Sequence, residues 1–428
     1  MTDEQRTTER WALVGAGQCG RRVAAAVCER TADRGVCDRT VLVDTSSTPG
    51  RRTLDRVASA LAVERSTAFR DHLVTFDSES GLGQTIFDDP GSTTAEVASL
   101  AESLGEATAG ANAAVYVLGL GGNVGNSVVP RVIDRLSRST NGAASADSDP
   151  ESGATGGPAR FALGVWPFEY EPPRRHFDAV CGLSRLLRRE NGTPNADMTL
   201  LASNSRLAEM GARVSTATAV GPVGGRSESN TDEFAWSNDV IADAIRLFVG
   251  SGQTPHDTGL GTIPADLPDR CDVSHGTVGI APAKPIGIGL QYAIQRAVEN
   301  AFVPVDLSTV GTAHVVVRAP SQRVEAGDVT ERDVREAVAA WSSAEHHPGP
   351  TGEATLSAVP GDGHTVDVLA FLGGFDLSPL LSTSWDAYET FKAGLIDHAE
   401  EPKSDVLVER SWQLEANLRT YCDALDRA

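Results

Sequence analysis

The sequence predicts an α/β protein in which a doubly wound parallel sheet is joined by a long central helix to a smaller α/β domain. Three observations predict it. Short apolar runs alternate with helical segments through the first half of the chain, which is typical of a parallel sheet with helices on both faces. Two of those runs end in glycine-rich turns. Apolar residues then recur every three or four positions along one later segment, at Val240, Ile241, Ala244, Ile245 and Phe248.

The first half of the chain contains five predicted strands, each an almost continuous apolar run, as in a sheet buried on both sides. In order, they are WALVGAG, Thr40–Asp44, Ala113–Leu118, FALGVWPF and MTLLAS. Helices are predicted at Arg21–Arg30, at Ala95–Leu104 and along the stripe Val128, Val129, Val132, Ile133 and Leu136. The low-complexity stretch 137–160 predicts an exposed, mobile insertion.

Length and composition predict two domains of ordinary size. We expect a disordered N-terminus at 1–10, a first domain at 11–250 ending in central helix 234–249, a Gly/Pro/Asp-rich linker at 251–272, a second domain at 273–376 and a polar, partly helical tail at 377–428. The second domain and tail have predicted helices at Ile286–Ala301, Glu331–Ser342 and Val406–Leu425, and predicted strands at Ala313–Pro320 and Thr365–Leu372.

The charge composition excludes some classes of protein. The formal net charge is −21, with three lysines against 34 arginines. Such an acidic, lysine-poor surface stays hydrated where salt screens ordinary charges, and it is typical of proteins from salt-loving archaea, although an ordinary acidic cytosolic protein is the alternative. A general nucleic-acid binder is not expected, because phosphate neutralisation needs clustered cations. No apolar run approaches membrane-spanning length and MTDEQRTTER lacks a signal peptide's apolar segment, so we expect a cytoplasmic protein without membrane insertion.

The cysteines and histidines predict no metal centre. None of the six cysteines forms a C-x-x-C pair, and we expect reduced thiols without disulfides or structural zinc. Among the nine histidines, the adjacent pair His346–His347 lies in a Pro/Gly-rich loop and has no further ligand at a suitable spacing.

The first glycine-rich turn is GAGQCG, residues 15–20, which fits the spacing G-x-G-x-x-G between a strand and a helix. Asp44 ends the next predicted strand. On its own this pattern predicts a dinucleotide site, since glycines let the backbone approach a pyrophosphate at the helix N-terminus. A tight turn without a ligand is the alternative.

The second turn, GLGGNVGNS, follows the strand Ala113–Leu118. Its four glycines can leave backbone N–H groups pointing into a concavity at the start of the next helix, which forms an anion-binding cradle. A dinucleotide site needs only the first turn. Two such turns after neighbouring strands predict a triphosphate held from both sides.

These motifs together resemble the tubulin/FtsZ superfamily, and FtsZ most of all, over roughly residues 11–375. GAGQCG is similar to the first phosphate loop of tubulin, and GGNVGNS stands where the family has G-G-G-T-G-[ST]-G. WPFEYEPPRRHF resembles P-F-x-F-E-G-x-x-R, MTLLASNSRL resembles the strand and turn ending in P-N-x-x-L, and FAWSNDVIADAIRLF resembles the start of the central helix. The resemblance implies a tubulin/FtsZ-like fold that binds GTP or GDP, with Mg²⁺ as a candidate ion.

The resemblance also implies roles for individual residues. Glu171 and Arg175 would contact the ribose, and Phe234 and Asn238, one helical turn apart, would hold the guanine. Without the other motifs, the simpler interpretation of Phe234 and Asn238 would be that they are a hydrophobic-core residue and a helix-capping residue. The remaining candidate nucleotide-binding residues are Gly15, Gly17, Gln18, Cys19, Gly20, Arg21, Asp44, Gly119, Gly121, Gly122, Asn123, Gly125, Asn126 and Ser127.

Asp266 and Asp269 are the candidate catalytic residues. PADLPD resembles the family loop N-x-D-F-x-D, which polarises the attacking water on the next subunit's nucleotide, with Pro264 in place of the Asn. Carboxylates three residues apart suit that role near a γ-phosphate. DRCD, residues 269–272, is a competing alignment, and a solvated acidic loop is the alternative.

The sequence departs from the family where the chemistry lies. In the second turn Asn123 replaces a glycine, Val124 the threonine, Asn126 the Ser/Thr and Ser127 the last glycine. Arg21 replaces an Asn, and Pro172 replaces the glycine after Glu171. Since Val124 has no hydroxyl to donate to a phosphate, we expect nucleotide binding to persist more readily than fast hydrolysis.

Three functions follow. The first is an FtsZ/tubulin-like GTPase that assembles head to tail in archaeal cell division or cell shape, with slow or assembly-dependent hydrolysis. The second is a pseudo-GTPase scaffold or regulator that co-assembles with an authentic FtsZ or another tubulin-like protein. The third is an NAD(P)-dependent enzyme, which explains only the first turn and Asp44.

Overall fold

The computed structural model describes residues 10–30, 39–44, 73–75, 95–122, 124–147, 157–190, 193–217, 231–253, 265, 267–343, 352–359, 361–400 and 403–422. Several predicted features lie outside these residues. They are the N-terminus at 1–9, the centre of the predicted insertion at 148–156 and most of the predicted linker, at 254–264 and 266.

In the part of the chain that is described, ten strands form one sheet. They are β1 (Trp11–Ala16), β2 (Thr40–Asp44), β3 (Leu73–Thr75), β4 (Ala113–Gly119), β5 (Ala159–Trp166), β8 (Met198–Ser203), β9 (His275–Pro285), β10 (Thr312–Pro320), β11 (Gly352–Val359) and β12 (Thr365–Gly373). A separate hairpin consists of β6 (Arg189–Glu190) and β7 (Thr193–Pro194). The spatial order of the sheet is β11-β10-β12-β9-β8-β5-β4-β1-β2-β3.

The sheet has a parallel half and a mixed half. The strands from β3 to β9 pair in parallel, whereas β12 pairs antiparallel with both β9 and β10. The two halves are continuous, because the start of β8 pairs with the start of β9, with Thr199 opposite His275. The predicted fold class, a doubly wound parallel sheet with a smaller α/β unit, is confirmed.

Helices cover both faces of the parallel half. The chain order is α1 (Gly17–Arg30), α2 (Ala95–Ala107), α3 (Val129–Asp147), α4 (Pro173–Leu187), α5 (Asn204–Ala217), α6 (Thr231–Gln253), α7 (Leu267–Cys271), α8 (Leu290–Glu299), α9 (Ser321–Glu325), α10 (Glu331–Ser342), α11 (Ser378–His398) and α12 (Lys403–Arg419). A π-helical turn, Val124–Val128, precedes α3. No helix among the described residues is long and apolar enough to span a bilayer.

Two hydrophobic cores lie on opposite faces of the sheet, because successive side chains of a strand point to opposite faces. Trp11 and Leu13 of β1 belong to one core, with residues of α1 and α6, whereas Val14 belongs to the other, with residues of α2, α3 and α4. The ring of Trp11 packs 5.4 Å from that of Phe161 and 5.7 Å from that of Phe248. This aromatic cluster holds the central helix α6 against the sheet.

The structure differs from the sequence prediction at both ends of the predicted insertion 137–160. α3 continues to Asp147, and the hydroxyl of Ser137 donates to the carbonyl of Asn195 at 2.9 Å. β5 begins at Ala159, and the amide of Arg160 donates to a carboxylate oxygen of Asp197 at 2.7 Å. Small and polar residues are compatible with a helix once tertiary contacts support it, so composition alone misplaced these boundaries.

The C-terminal helices pack onto the first half of the chain. The ring of Tyr388 on α11 stacks on that of Phe177 on α4 at 5.4 Å. The ammonium group of Lys392 lies 2.7 Å from carboxylate oxygens of both Glu389 and Glu415, which ties α11 to α12. The region predicted as a polar tail therefore includes a helical pair that is integrated into the fold beside α4.

Candidate functional site

The two glycine-rich turns meet at the carboxyl edge of the parallel sheet. They follow β1 and β4, which are parallel neighbours. A methyl group on Gly17 would lie 3.3 Å from Cβ of Val124, and one on Gly119 would lie 3.0 Å from Cβ of Cys19. Each turn therefore packs against a side chain of the other turn across the gap between the strands, as a site for one shared ligand requires.

Glycine is required at two positions of the first turn, for different structural reasons. Gly17 has φ +66°, which residues with a Cβ rarely adopt. Gly20 lies against β4 so closely that a methyl group on it would overlap the carbonyl oxygen of Val117. The first helix can therefore start directly on the sheet, with its N-terminal amides beside the second turn.

One cavity of about 610 Å³ opens over both turns. This volume is in the range of small-molecule and cofactor pockets, and the carboxyl ends of the strands are where open α/β sheets bind their ligands. Twelve of the predicted site residues line it: Gly17, Gln18, Cys19, Asp44, Gly119, Gly121, Gly122, Gly125, Glu171, Arg175, Phe234 and Asn238.

Four predicted site residues that the structure describes lie behind the cavity wall. Gly15 and Gly20 pack against each other inside the first turn. Nε of Arg21 lies 2.5 Å from Oδ2 of Asp44, and both side chains are largely buried. The carbonyl of Asn126 accepts a hydrogen bond of 2.9 Å from Arg185 on α4. Arg21 and Asn126 thus support the elements that line the cavity.

The remaining four predicted site residues are not fully described. Asn123 and Asp266 lie outside the described residues. Ser127 belongs to the π-helical turn before α3 and Asp269 to α7, but their side chains lie outside the described part.

One wall of the cavity is the turn between β5 and α4. Oε1 of Glu171 accepts from the amide of Phe168 at 2.8 Å, which fixes the carboxylate within its own turn. The guanidinium of Arg175 donates to the carbonyl of Gly121 at 2.7 Å. This wall is therefore tied directly to the second glycine turn.

The opposite end of the cavity is aromatic. Phe234 and Asn238, one turn apart on α6, are both half-buried and line it. The ring of Phe168 lies edge-on to that of Phe234, with centroids 5.0 Å apart. An aromatic face beside an amide is suited to a flat heterocycle with hydrogen-bonding edges.

Several cavity residues were not predicted from the sequence, including Arg22, Arg174, Asp178 and Asn204. A signal for Arg22 and Arg174 was present, since each is next to a predicted site residue. With Arg175, they place three guanidinium groups around one cavity in a chain of net charge −21. The carboxylates of Asp44, Glu171 and Asp178 also line the cavity, so its lining is neutral overall and repels an anionic ligand less than the acidic remainder of the chain would.

Asp178 is a buried carboxylate in the cavity wall. Burial raises its pKa to about 6, opposed by the positive charges of Arg174, Arg175 and Arg185. The carboxylate Oδ2 is 3.8 Å from Nε of Arg174. Two positions along the same helix contact the second turn: Gly182, packed against Asn126, and Arg185. On α4, Asp178 therefore lies close to the second glycine turn.

Asp178→Asn should stabilise the protein at neutral pH. Above the folded pKa of about 6, the carboxylate is charged in both the folded and unfolded states, and its burial is unfavourable only in the folded state. The free energy of unfolding at pH 7 should rise by about 1–3 kcal/mol, and the gain should shrink as the pH falls from 6 towards 4. Denaturant unfolding without nucleotide measures this.

The control for this prediction is Asp362→Asn, at an exposed carboxylate. It should change the free energy of unfolding by less than about 0.5 kcal/mol at any pH. If Asp178→Asn is less stable than the wild type at pH 7, the ion pair between Asp178 and Arg174 contributes more to stability than burial of the carboxylate costs.

The thiol of Cys19, which lines the cavity, is not reactive. Burial raises the pKa of Cys19 to about 12, so its sulfur stays protonated and is a poor nucleophile at neutral pH. Among the described residues, no group of three His, Cys, Asp or Glu side chains is placed to hold a metal ion.

Comparison with known proteins gives a match at the level of structure. No protein-family model and no curated protein matches the chain. The solved structure of CetZ2 from Haloferax volcanii, a GTPγS-bound protofilament, matches with 19% identity and TM-score 0.61, over 90% of this chain and 99% of that one. CetZ from Methanosaeta thermophila matches with 15% identity and TM-score 0.62, over 96% and 99%. An empty FtsZ dimer from M. jannaschii matches with 18% identity and TM-score 0.58, over 87% and 90%.

The chain has the tubulin/FtsZ fold. This confirms the fold that the ordered motifs implied, and the match extends over nearly the whole length of each of these structures.

Within this tubulin/FtsZ fold, the segment that contains Asp269 lies at the amino ends of the parallel strands, and the cavity lies at their carboxyl ends. α7 leads into β9, whose first residue pairs with Thr199 near the start of β8. The amino ends of the parallel strands are therefore beside α7, whereas the glycine turns follow their carboxyl ends. The structure does not bring Asp269 to the cavity of its own chain.

Proposed function

We propose that this chain is an FtsZ/tubulin-like cytoskeletal protein that binds GTP or GDP, with Mg²⁺, and assembles head to tail. The observation that carries the proposal is the convergence of two glycine turns and the Phe234/Asn238 wall on one cavity. Its setting would be the cytoplasm of a salt-loving archaeon, in cell division or cell shape, given the acidic, lysine-poor composition.

Each end of the cavity matches one part of a nucleotide. The phosphate end has the glycine turns, the starts of two helical segments and the guanidinium groups of Arg22, Arg174 and Arg175. Backbone N–H groups at helix starts and nearby cations both favour phosphate. The far end has Phe234 for stacking and Asn238 for hydrogen bonds to a base.

Head-to-tail assembly is supported by the separation of the cavity from α7. If one subunit stacks on the next in the same orientation, the α7 edge of the first faces the cavity edge of the second, and this heterologous contact propagates into a filament. The CetZ2 structure is a GTPγS-bound protofilament and the FtsZ structure is a dimer. Hydrolysis would then require assembly, since neither subunit alone has all the groups.

A second candidate is a pseudo-GTPase scaffold or regulator of another FtsZ-like protein. Val124 lines the cavity at the position where the family has a threonine. A missing hydrogen bond to a charged phosphate costs about 1.5–3 kcal/mol, which is enough to slow hydrolysis strongly if it acts in the transition state. Nucleotide binding through the glycine amides does not depend on that hydroxyl.

The NAD(P) alternative is disfavoured by the surroundings of Asp44. In a dinucleotide site the acidic residue after the second strand accepts hydrogen bonds from a ribose. Here the carboxylate of Asp44 is paired with Arg21. The alternative also leaves the second glycine turn without a purpose.

Calorimetric titration with GTP and with NADH, at high KCl with Mg²⁺, tests the proposal. We expect GTP to bind at least about 100-fold more tightly than NADH, because a site built to hydrogen-bond guanine leaves polar groups unpaired with another base. Phe234→Ala should weaken GTP binding by about 5- to 100-fold through lost stacking. Tyr292→Ala, at an exposed aromatic side chain on α8, is the control for loss of an aromatic side chain.

Sedimentation of the same samples tests assembly. Pelletable polymer should form with GTP and not with NADH. Tight NADH binding, or no binding of GTP at high salt by folded protein, would remove the proposed function.

A further inference from the structure

A buried hydrogen-bond chain connects the cavity wall to the C-terminal helix α11. Nε1 of Trp166, the last residue of β5, donates to Oγ of Ser384 on α11 at 2.8 Å. The same Oγ is 2.6 Å from Nδ1 of His176 on α4. Nε2 of His176 is 3.2 Å from the carbonyl oxygen of Glu171. All three linking side chains are at most 1% exposed.

The donors and acceptors in this chain can be assigned consistently when the imidazole of His176 has its hydrogen on Nε2. An indole N–H can only donate, so Ser384 accepts from Trp166. The hydroxyl hydrogen of Ser384 then points to Nδ1 of His176, which accepts it. Because the carbonyl of Glu171 can only accept, Nε2 of His176 carries a hydrogen and donates to it. Each buried polar group has a partner, and the chain ends at the Glu171 turn.

The Glu171 turn lies between the two ends of the cavity. On one side, Arg175 is bound to Gly121 of the second glycine turn. On the other, Phe168 packs against Phe234. A nucleotide that extends from the glycine turns to Phe234 would place its sugar beside Glu171, since the sugar connects the phosphates to the base. One carboxylate oxygen of Glu171 accepts from the amide of Phe168, and the other, which has no hydrogen bond to the described residues, can accept from a sugar hydroxyl.

We propose that Ser384 and His176 are positioning residues that hold Glu171 against the ribose of a bound nucleotide, which makes α11 part of the nucleotide site. This inference rests on the proposed function. α11 is a rigid support, because Tyr388 stacks on Phe177 and Lys392 bridges to α12 through Glu415. The coupling is reciprocal: a ligand that orders the Glu171 turn also stabilises α11.

Ser384→Ala combined with two ligands tests the proposal. Loss of the hydroxyl leaves Nδ1 of His176 without its donor and loosens the Glu171 turn. GTP binding should weaken by about threefold to tenfold, the range for one hydrogen bond. Binding of 2′,3′-dideoxy-GTP should change by less than about twofold, because this ligand lacks the hydroxyls that the carboxylate would accept. Ser382→Ala, at an exposed serine of the same helix whose hydroxyl donates to the carbonyl of Pro379 within α11, is the control.

A purely structural role gives a different result. If Ser384→Ala weakens both ligands equally, the hydroxyl supports the fold and not the ribose contact, and the proposal is overturned. If the variant binds each ligand with the same affinity as the wild type, the proposal is overturned as well. Ser384→Thr, which keeps the hydroxyl, should restore the difference between the two ligands.

Amide hydrogen exchange separates failure of this inference from failure of the proposed function. Without nucleotide, Ser384→Ala should increase exchange in residues 167–175 and leave β1 unchanged. With nucleotide, the wild type should gain protection around Ser384 in α11. If the wild type binds no GTP but exchange at 167–175 still rises in the variant, the proposed function fails while the link to α11 stands. Unchanged exchange at 167–175 overturns the link itself.

Discussion

Gly125→Ala should abolish tight nucleotide binding. A methyl group on Gly125 would overlap the carbonyl oxygen of Gly119 and lie 2.8 Å from its carbonyl carbon. These are backbone atoms of the same turn, and they cannot move aside without displacing the end of β4. Misplacing the turn removes at least two contacts from backbone N–H groups to phosphate, so GTP affinity should fall by about 100-fold or more. Calorimetry with GTP and GDP measures the loss.

The same substitution should also destabilise the protein, by about 1–3 kcal/mol, because overpacking forces the backbone to shift. Stability and affinity must therefore be measured together, at a temperature well below the unfolding transition. The matched control is Gly287→Ala, since a methyl group there meets nothing within 4 Å. Wild-type affinity in a folded Gly125→Ala protein would show that the ligand is not held by the second turn.

Asp269→Ala should lower GTP turnover by about 100-fold or more while leaving GTP affinity unchanged. Turnover should fall because positioning the attacking water accelerates the reaction by about 10²–10⁴-fold. Affinity should not change because the segment that contains Asp269 lies at the opposite ends of the strands from the cavity of its own chain. Turnover per chain should for the same reason rise with protein concentration. Phosphate release at high KCl, measured across a concentration series, gives both results, and Asp266→Ala should behave in the same way.

Asp272→Asn is the matched control for the carboxylates, and it also tests the competing alignment on residues 269–272. Asp272 has φ +46°, which Asn tolerates better than Ala, so this substitution removes the charge with little backbone strain. We expect wild-type turnover. Background turnover in the wild type and in all the variants, with GTP binding intact, would favour the scaffold. Loss of turnover in Asp272→Asn but not in Asp266→Ala would move the catalytic role to the competing pair.

The fold class and the existence of two glycine turns were readable from the sequence, because both depend on local order. Apolar runs identify buried strands, and strict glycine spacing after a strand identifies a place where the backbone must pass close to something. Phe234 and Asn238 were proposed through the resemblance of their segment to the start of the family's central helix, and their spacing of four residues puts them on one helix face. The central helix itself extends further, over Thr231–Gln253, because its ends depend on neighbours and not on its own stripe.

The orientation of individual polar side chains was not readable. The guanidinium of Arg185 donates to the backbone carbonyl of Asn126 in the second turn, 59 residues earlier in the chain. Asp178 carries no motif, and only the folding of α4 against the second turn buries its carboxylate in the cavity wall. Such placements depend on contacts between distant segments, which no local pattern encodes.

By itself, the sequence determined which segments become strands and helices, where glycine is required and that the chain has a strongly acidic composition. Only the tertiary structure decided that the two turns share one cavity, that the segment of Asp269 lies at the far edge of the sheet and that α11 reaches the Glu171 turn through Ser384 and His176. The physical reason is the distance along the chain over which each kind of interaction acts. Periodicity and backbone conformation act over a few residues, whereas a binding site is formed by side chains that approach one another only when the whole sheet and its helices have packed.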